Sequence, residues 1–372
     1  MSFLSDLFKR KPKEPEPPRT RQDMESSLTV QYESYFQVQT ANGVLNRAFQ
    51  QQRPPQESEK QLLTEMFDII ASVPQGQKLL DEVAKGGYEF FFETGRGQND
   101  GCMYANAKKI MLCPCAHSSV AGLAATAFHE MIHAFQNEQS DGKLGIACAQ
   151  MNVADQFKFQ RATEAAAWTE EAKFAYQIRD RYPEVEEHVS VFPMYNAFVN
   201  EMNDSGDMAK AGEAAFKTWY GYKHYQSIYE NNHVANITYF LDQRYASRKE
   251  MLSGEMSSEQ VLDTVFISDD VRKNIAPEFL TSKEAFSISE QAVSRMNKAV
   301  ALYGGGKKDT SLNSMYSYET GLKHSPVPEV KEAVAASVRP QKSMMSSLKQ
   351  IDNTIKAKKT ASVRALNSSV RQ

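Results

Sequence analysis

The sequence predicts a mainly helical α+β fold: one body of helices with a small sheet, between two flexible ends. Three observations lead there. Apolar residues recur at helical spacing in segment after segment of residues 24–303. Three short runs rich in aromatic or aliphatic residues, 88–93, 103–104 and 109–112, read instead as strands. The ends differ from both: residues 1–23 are Pro-rich and basic, and residues 304–372 are rich in Ser, Lys, Ala and Met without a sustained period. The expected division is therefore 1–23, 24–303 and 304–372.

At the start, Phe3, Leu4, Leu7 and Phe8 form a short apolar face ahead of Lys9, Arg10, Lys11 and Lys13, and prolines follow to Pro18. Residues 1–13 can be read as weak docking to a membrane or partner, or simply as an unstructured chain end. A helix is expected from about Ser26 to Gln51, broken by Pro54-Pro55. Leu62, Leu63, Met66, Phe67, Ile69 and Ile70 have helical spacing, and a shorter helix follows Pro74 until Gly86-Gly87. Tyr88–Glu93 is an expected strand. After a Gly/Asn-rich turn, Met103-Tyr104 and Lys109–Leu112 read as two strands of a hairpin. Cys113-Pro114-Cys115 then leads into a helix with Ser118 or Ser119 as its N-cap. A long helix is expected over about 155–179. Further helices are expected over 207–220, 222–250, 257–266 and 282–303.

Bulk properties narrow the function classes. The chain has 372 residues, 41% hydrophobic, enough for one large domain or two modest ones. A net charge of −3 argues against a dedicated nucleic-acid binder. Four cysteines at irregular spacing give no disulfide framework. No apolar run approaches the roughly 20 residues of a membrane span. The first ten residues lack the apolar core of a signal peptide, so a cytoplasmic location is expected.

The chemistry gathers at Phe128-His129-Glu130-Met131-Ile132-His133. His-Glu-x-x-His on a helix sets two imidazoles four residues apart on one face, where both can reach a zinc ion. Glu130, turned about 100° away, is placed to take a proton from water without ligating the metal. On a helical wheel Gly122, Ala125 and Thr126 share the histidine side, so a substrate backbone or a strand can approach closely. Val120, Ala124, Ala127, Phe128, Met131, Ile132 and Phe135 make the opposite, core-facing stripe.

Catalytic zinc takes three protein ligands and leaves one position open. The favoured third ligand is Glu164, set among alanines on the next helix, where an unpaired buried carboxylate would be costly. Glu171, on the same face about 10 Å further along, is an alternative ligand. Asp141 and Glu138 remain alternatives, and an ion pair with Arg161 is the non-metal explanation of Glu164.

These residues give the chain a resemblance to gluzincin-type zinc peptidases: His129-Glu130-x-x-His133 with a glutamate on the following helix. The wider run from Lys109–Leu112 through the pentad to Arg161–Trp168 is similar to bacterial metallopeptidase domains, over about residues 55–245. The resemblance implies a zincin-like domain in which Zn²⁺ is held by His129, His133 and Glu164, and Glu130 is the general base of peptide hydrolysis. It also implies an extended peptide or protein substrate pairing with the strand beside the metal helix. One departure stands out. Thermolysin-like enzymes place an aspartate four residues after the ligand glutamate to orient a histidine; this chain has Trp168 there.

Zinc peptidases also need a donor near the oxyanion, and His233, His224 or Tyr229 could supply it; aromatic packing explains the same residues without chemistry. Cys113-x-Cys115 is too closely spaced for a usual zinc site, and His117 reads as a surface or capping residue. Two rival classes remain: a zincin-fold scaffold without turnover, and an interaction protein with an accidental pentad.

Overall fold

The computed structural model describes residues 19–40, 43–94, 100–242 and 251–324 of the chain. As expected from the sequence, the protein is mainly helical with a small mixed sheet. The expected docking segment 1–13, the 95–99 part of the turn and residues 325–372 of the tail lie outside the described residues.

The first element is α1 (Arg21–Ser26), and then the expected helix over 26–51 gives way to β1 (Thr29–Thr40) and β2 (Gly43–Arg53), an antiparallel pair. Thr29, Val30, Tyr32, Tyr35, Phe36 and Val38 crowd a helix but suit a pleated surface. β1 also gains a parallel partner in β3 (Glu89–Glu93), with Thr29 opposite Phe91. Between them come α2 (Glu57–Ala71) and α3 (Pro74–Lys85), which bury Phe67, Ile70, Leu79 and Leu80. The expected short strands are β4 (Gly101–Tyr104) and β5 (Lys109–Leu112), antiparallel to one another. Strand order is β2-β1-β3-β5-β4, leaving β4 at the edge.

The chain then enters α4 (Val120–Gln139) and α5 (Val153–Ile178). The apolar side of α4 is sealed: Phe128, Met131 and Ile132 are fully buried, and Phe128 stacks on Phe174 of α5 with ring centroids 4.4 Å apart. Helices α6 (Val185–Val189), α7 (Pro193–Ser205), α8 (Met208–Gly221), α9 (Lys223–Asp242), α10 (Ser258–Val265) and α11 (Asp269–Asn274) build the rest of the body. The last helix, α12 (Glu290–Tyr303), starts eight residues later than the sequence suggested. Ser289 caps it, and Ser287-Ile288 before it form β6, paired in parallel with β7 (Tyr316–Ser317). That pairing carries the described body beyond Gly304, where the sequence reading placed the start of the tail. Leu312, Met315 and His324 are all buried.

Candidate metal centre

Ser119 caps α4 by accepting a hydrogen bond from the Gly122 amide at 3.0 Å. One turn apart near the middle of the helix, the His129 and His133 rings lie 4.8 Å from centroid to centroid. Asn152 caps α5 through the Asp155 amide. On α5 Ala162, Ala165, Ala166 and Ala167 are fully buried, and side chains this small let the two helix backbones close up. Glu164 is thereby delivered to the histidines: its Oε2 is 4.0 Å from His129 Nε2 and 3.7 Å from His133 Nε2. One ligand atom from each of the three residues lies within 4.8 Å of the others, and among the described residues this is the group able to hold a metal ion.

The far side of each imidazole is held as well. His129 Nδ1 is 2.9 Å from Glu171 Oε2. His133 Nδ1 is 2.8 Å from Gln136 Oε1. Gln136 is fully buried, and its amide nitrogen donates to the Thr163 and Val265 carbonyls. The amide cannot turn without losing both bonds, so its oxygen faces His133 and requires the proton on Nδ1. The Glu171 carboxylate asks the same of His129. Both Nε2 lone pairs then point at Glu164, and three acceptors meet with no proton among them. A metal ion would satisfy that arrangement. The donor types, two imidazoles and a carboxylate, fit zinc; with bonds of about 2.0–2.1 Å tetrahedral zinc spaces its ligands about 3.3 Å apart, closer than the 3.7 and 4.0 Å to Glu164 and the 4.8 Å within which all three atoms lie here. In the absence of metal a proton fills the role. Burial opposes charge on both partners, yet Glu164 raises His133 to about 9, and the imidazoles bring Glu164 down to about 2.

Glu130 projects from α4 toward edge strand β4. Burial raises its carboxyl above the usual range, against the pull of His129 and His133 and of a hydrogen bond from the Met103 backbone. The strand approaches this closely because residue 101 is glycine: a Cβ there would lie 2.8 Å from Thr126 Cγ2 and 2.9 Å from Glu130 Cγ. The cleared face of α4 is thus occupied by β4 on one side. On the other, α6 sets His188 against Gly122 and Thr126, with His188 Nε2 3.2 Å from Thr126 Oγ1 and 3.9 Å from Glu171 Oε1.

Helix α9 closes the Glu164 side. Burial lifts the Tyr229 hydroxyl well above its ordinary value and the adjacent Glu164 carboxylate adds to it; Trp168 Nε1 donates to that hydroxyl at 3.4 Å. One turn on, burial lowers His233 to about 3 despite Glu164, so it is neutral, and its buried Nδ1 has no hydrogen-bond partner among the described residues. The side chain of His224 lies outside the described residues.

The alternatives are placed elsewhere. Arg161 pairs with Glu230 and donates to the Ser287 carbonyl, so it does not account for Glu164. Glu138 engages Lys108 and Tyr88, and Asp141 is an exposed turn residue with φ of 53°. Cys113 and Cys115 bring their sulfurs 3.0 Å apart, and among the described residues they belong to no group able to hold a metal ion. His117 is no surface residue: its ring nitrogens are buried and its ring is 5.0 Å from that of His188. Sequence reasoning missed His188 and Gln136. Gln136 was open to discovery, since a residue three after the second histidine lies on its face.

The model of the family described as "Putative metallopeptidase family (DUF6782)" matches residues 40–266, more than half of the chain. The chain belongs to this family. The DUF6782 match contains the whole His129, His133 and Glu164 cluster together with Glu130, Gln136 and Glu171, and it ends one residue after α10. Membership of a metallopeptidase family implies a metal ion and suggests peptide or protein substrates. No curated protein and no solved structure matches the chain. Among the described residues, no helix is long and apolar enough to cross a membrane.

Proposed function

We propose that the chain is a zinc-dependent peptidase with His129, His133 and Glu164 as its metal ligands. The observation that supports this most is the orientation of both imidazoles: Glu171 and Gln136 hold the Nδ1 atoms, so two Nε2 lone pairs and one carboxylate converge on one point. When bound there, zinc supplies Lewis acidity, activating a water and polarising the carbonyl to be attacked. The rest of the work falls to the protein. Glu130 accepts the proton of the attacking water and returns it to the leaving amine, from a carboxyl that burial has made more basic. Tyr229 and His233, beside Glu164, would donate to the oxyanion that forms on the substrate. Among the described residues edge strand β4 has β5 as its one strand partner, and an extended peptide would add along its outer edge, beside the Met103 amide that already meets Glu130.

The test joins metal content to turnover. The zinc-loaded chain and its Glu130→Gln variant are exposed to a complex peptide mixture, and new termini are read by mass spectrometry. The proposal expects about one zinc per chain in both proteins and cleavage only in the first. A chain that binds no stoichiometric zinc, or cleavage that survives in the variant, rejects it.

A further inference from the structure

One side of the metal centre is walled by aromatic rings to which the mechanism gives no task. Trp168 stands on α5 one turn after Glu164 and packs edge-on against His129, with ring centroids 4.9 Å apart. Phe192, just before α7, tilts against Trp168 at 4.5 Å. Tyr225 on α9 meets Trp168 at 5.7 Å, and Tyr222 meets Tyr225 at 5.0 Å. These rings differ from the core aromatics. Phe128, Phe157, Phe174 and Trp219 are fully buried, whereas Trp168, Phe192 and Tyr225 are only partly covered and Tyr222 keeps 38% of its surface exposed. The row therefore passes from Trp168, against His129, through Tyr225 to the more exposed Tyr222.

Partly covered rings leading to a reaction centre are a surface that an apolar group gains by covering. Ligand sites share this composition: aromatic walls with a few polar groups at one end, here His129 and Glu164. The wall's inner ring, Trp168, packs directly on His129. Whatever covers it while a peptide bond sits at the metal must belong to a residue flanking that bond. Trp168 also stands where the thermolysin-like pattern has an aspartate. With Glu171 holding His129 instead, position 168 is released to carry a ring against His129.

We propose that Trp168, Phe192 and Tyr225 form a subsite for a large apolar or aromatic side chain adjoining the scissile bond, so that the substrates are peptides carrying such a residue. This rests on the peptidase reading above, and it goes further by fixing the class of substrate.

Two measurements test it. The first is the cleavage profile of the zinc-loaded full-length chain on a peptide mixture of known sequences. Phe, Tyr, Trp, Leu and Met should together be enriched about tenfold or more over Gly, Ser and Asp at one flanking position. Tyr225→Ala and Trp168→Ala should each flatten that enrichment several-fold, mainly through KM, while Trp168→Phe keeps it. The second is binding without turnover. The zinc-loaded Glu130→Gln variant is titrated with two peptides that differ only in Phe or Gly at the selected position, and tryptophan fluorescence is followed. Of the two tryptophans, Trp219 is fully buried, so the signal should come from Trp168 and vanish in the double variant with Trp168→Phe. The Phe peptide should bind about tenfold more tightly. Cleavage with no apolar preference at either flanking position, or equal binding of the two peptides, overturns the subsite and leaves the peptidase reading standing. Absence of Glu130-dependent cleavage on any peptide removes both.

Discussion

Glu171 Oε2 lies 2.9 Å from His129 Nδ1, on the opposite side of the ring from Glu164. Two glutamates seven residues apart on α5 therefore grip one imidazole from both ends: one faces the metal position and the other sets the tautomer. His188 reaches the second oxygen of Glu171 at 3.9 Å, so this carboxylate is itself steadied by α6. A carboxylate in this position raises the basicity of a ligating histidine and fixes its ring plane.

Replacing Glu171 by Ala should weaken zinc binding about 10–100-fold and lower turnover at subsaturating metal. Glu171→Gln keeps an acceptor oxygen and should lose much less. Competition titration against a chromophoric zinc chelator separates the two variants. Equal affinity in wild type and Glu171→Ala would show that the pair is a packing contact only.

What could be read from the sequence follows from the range of the interactions involved. The pentad is local, so the face shared by His129 and His133, the exit of Glu130 and the cap at Ser119 all follow from helix geometry. Glu164 was legible as a candidate because a buried carboxylate among Ala162, Ala165, Ala166 and Ala167 is costly unless it is paired or ligated. Glu171 was seen as a rival ligand rather than a partner, since an axial rise of about 10 Å ignores that an imidazole offers nitrogens at both ends. His188 could not be seen, because α6 is a five-residue helix whose position over Gly122 is set by tertiary packing. The hairpin β1–β2 was misread as helix for a related reason. Its β-branched and aromatic residues are marginal signals until β3 supplies a partner.

Gly101 predicts a steric limit on the cleft. Gly101→Ala places a methyl group under 3 Å from both Thr126 and Glu130, so β4 must retreat from α4. Overpacking of this kind costs about 1–3 kcal/mol. If β4 positions the substrate and Glu130 accepts the proton, activity should fall by more than the stability loss accounts for, because the two are pushed apart. Urea denaturation alongside cleavage rates of the folded variant checks this. A variant with wild-type kinetics would mean that β4 takes no part in positioning substrate.

Tyr229 and His233 make separable predictions. If either donates to the developing oxyanion, Tyr229→Phe or His233→Ala lowers kcat by about 10²–10³-fold with little change in KM. Zinc content should hold in both, since neither residue is among the three that gather at the metal position. Steady-state kinetics of the two variants, with metal analysis on the same samples, decides which one acts. A loss of zinc in step with activity would instead make that residue a support for Glu164.

Removing the metal should cost stability, and the site itself says why. Two imidazoles and two carboxylates, Glu130 and Glu164, are confined at the α4–α5 contact, with His129 and Glu130 themselves buried. A bound dication neutralises both carboxylates at once, whereas the metal-free site must recruit protons or leave like charges facing one another. Ligand linkage gives about 4 kcal/mol when free zinc exceeds its dissociation constant a thousandfold. For a folded body of this size that corresponds to a rise in Tm of roughly six or seven degrees. Thermal unfolding after exhaustive chelation, then after adding back zinc, should show that shift and its reversal. His133→Ala should unfold at one temperature whether or not zinc is present. If chelation leaves the wild-type Tm unmoved, the cluster is a proton-sharing core network, and the convergence of its Nε2 atoms has a purely structural origin.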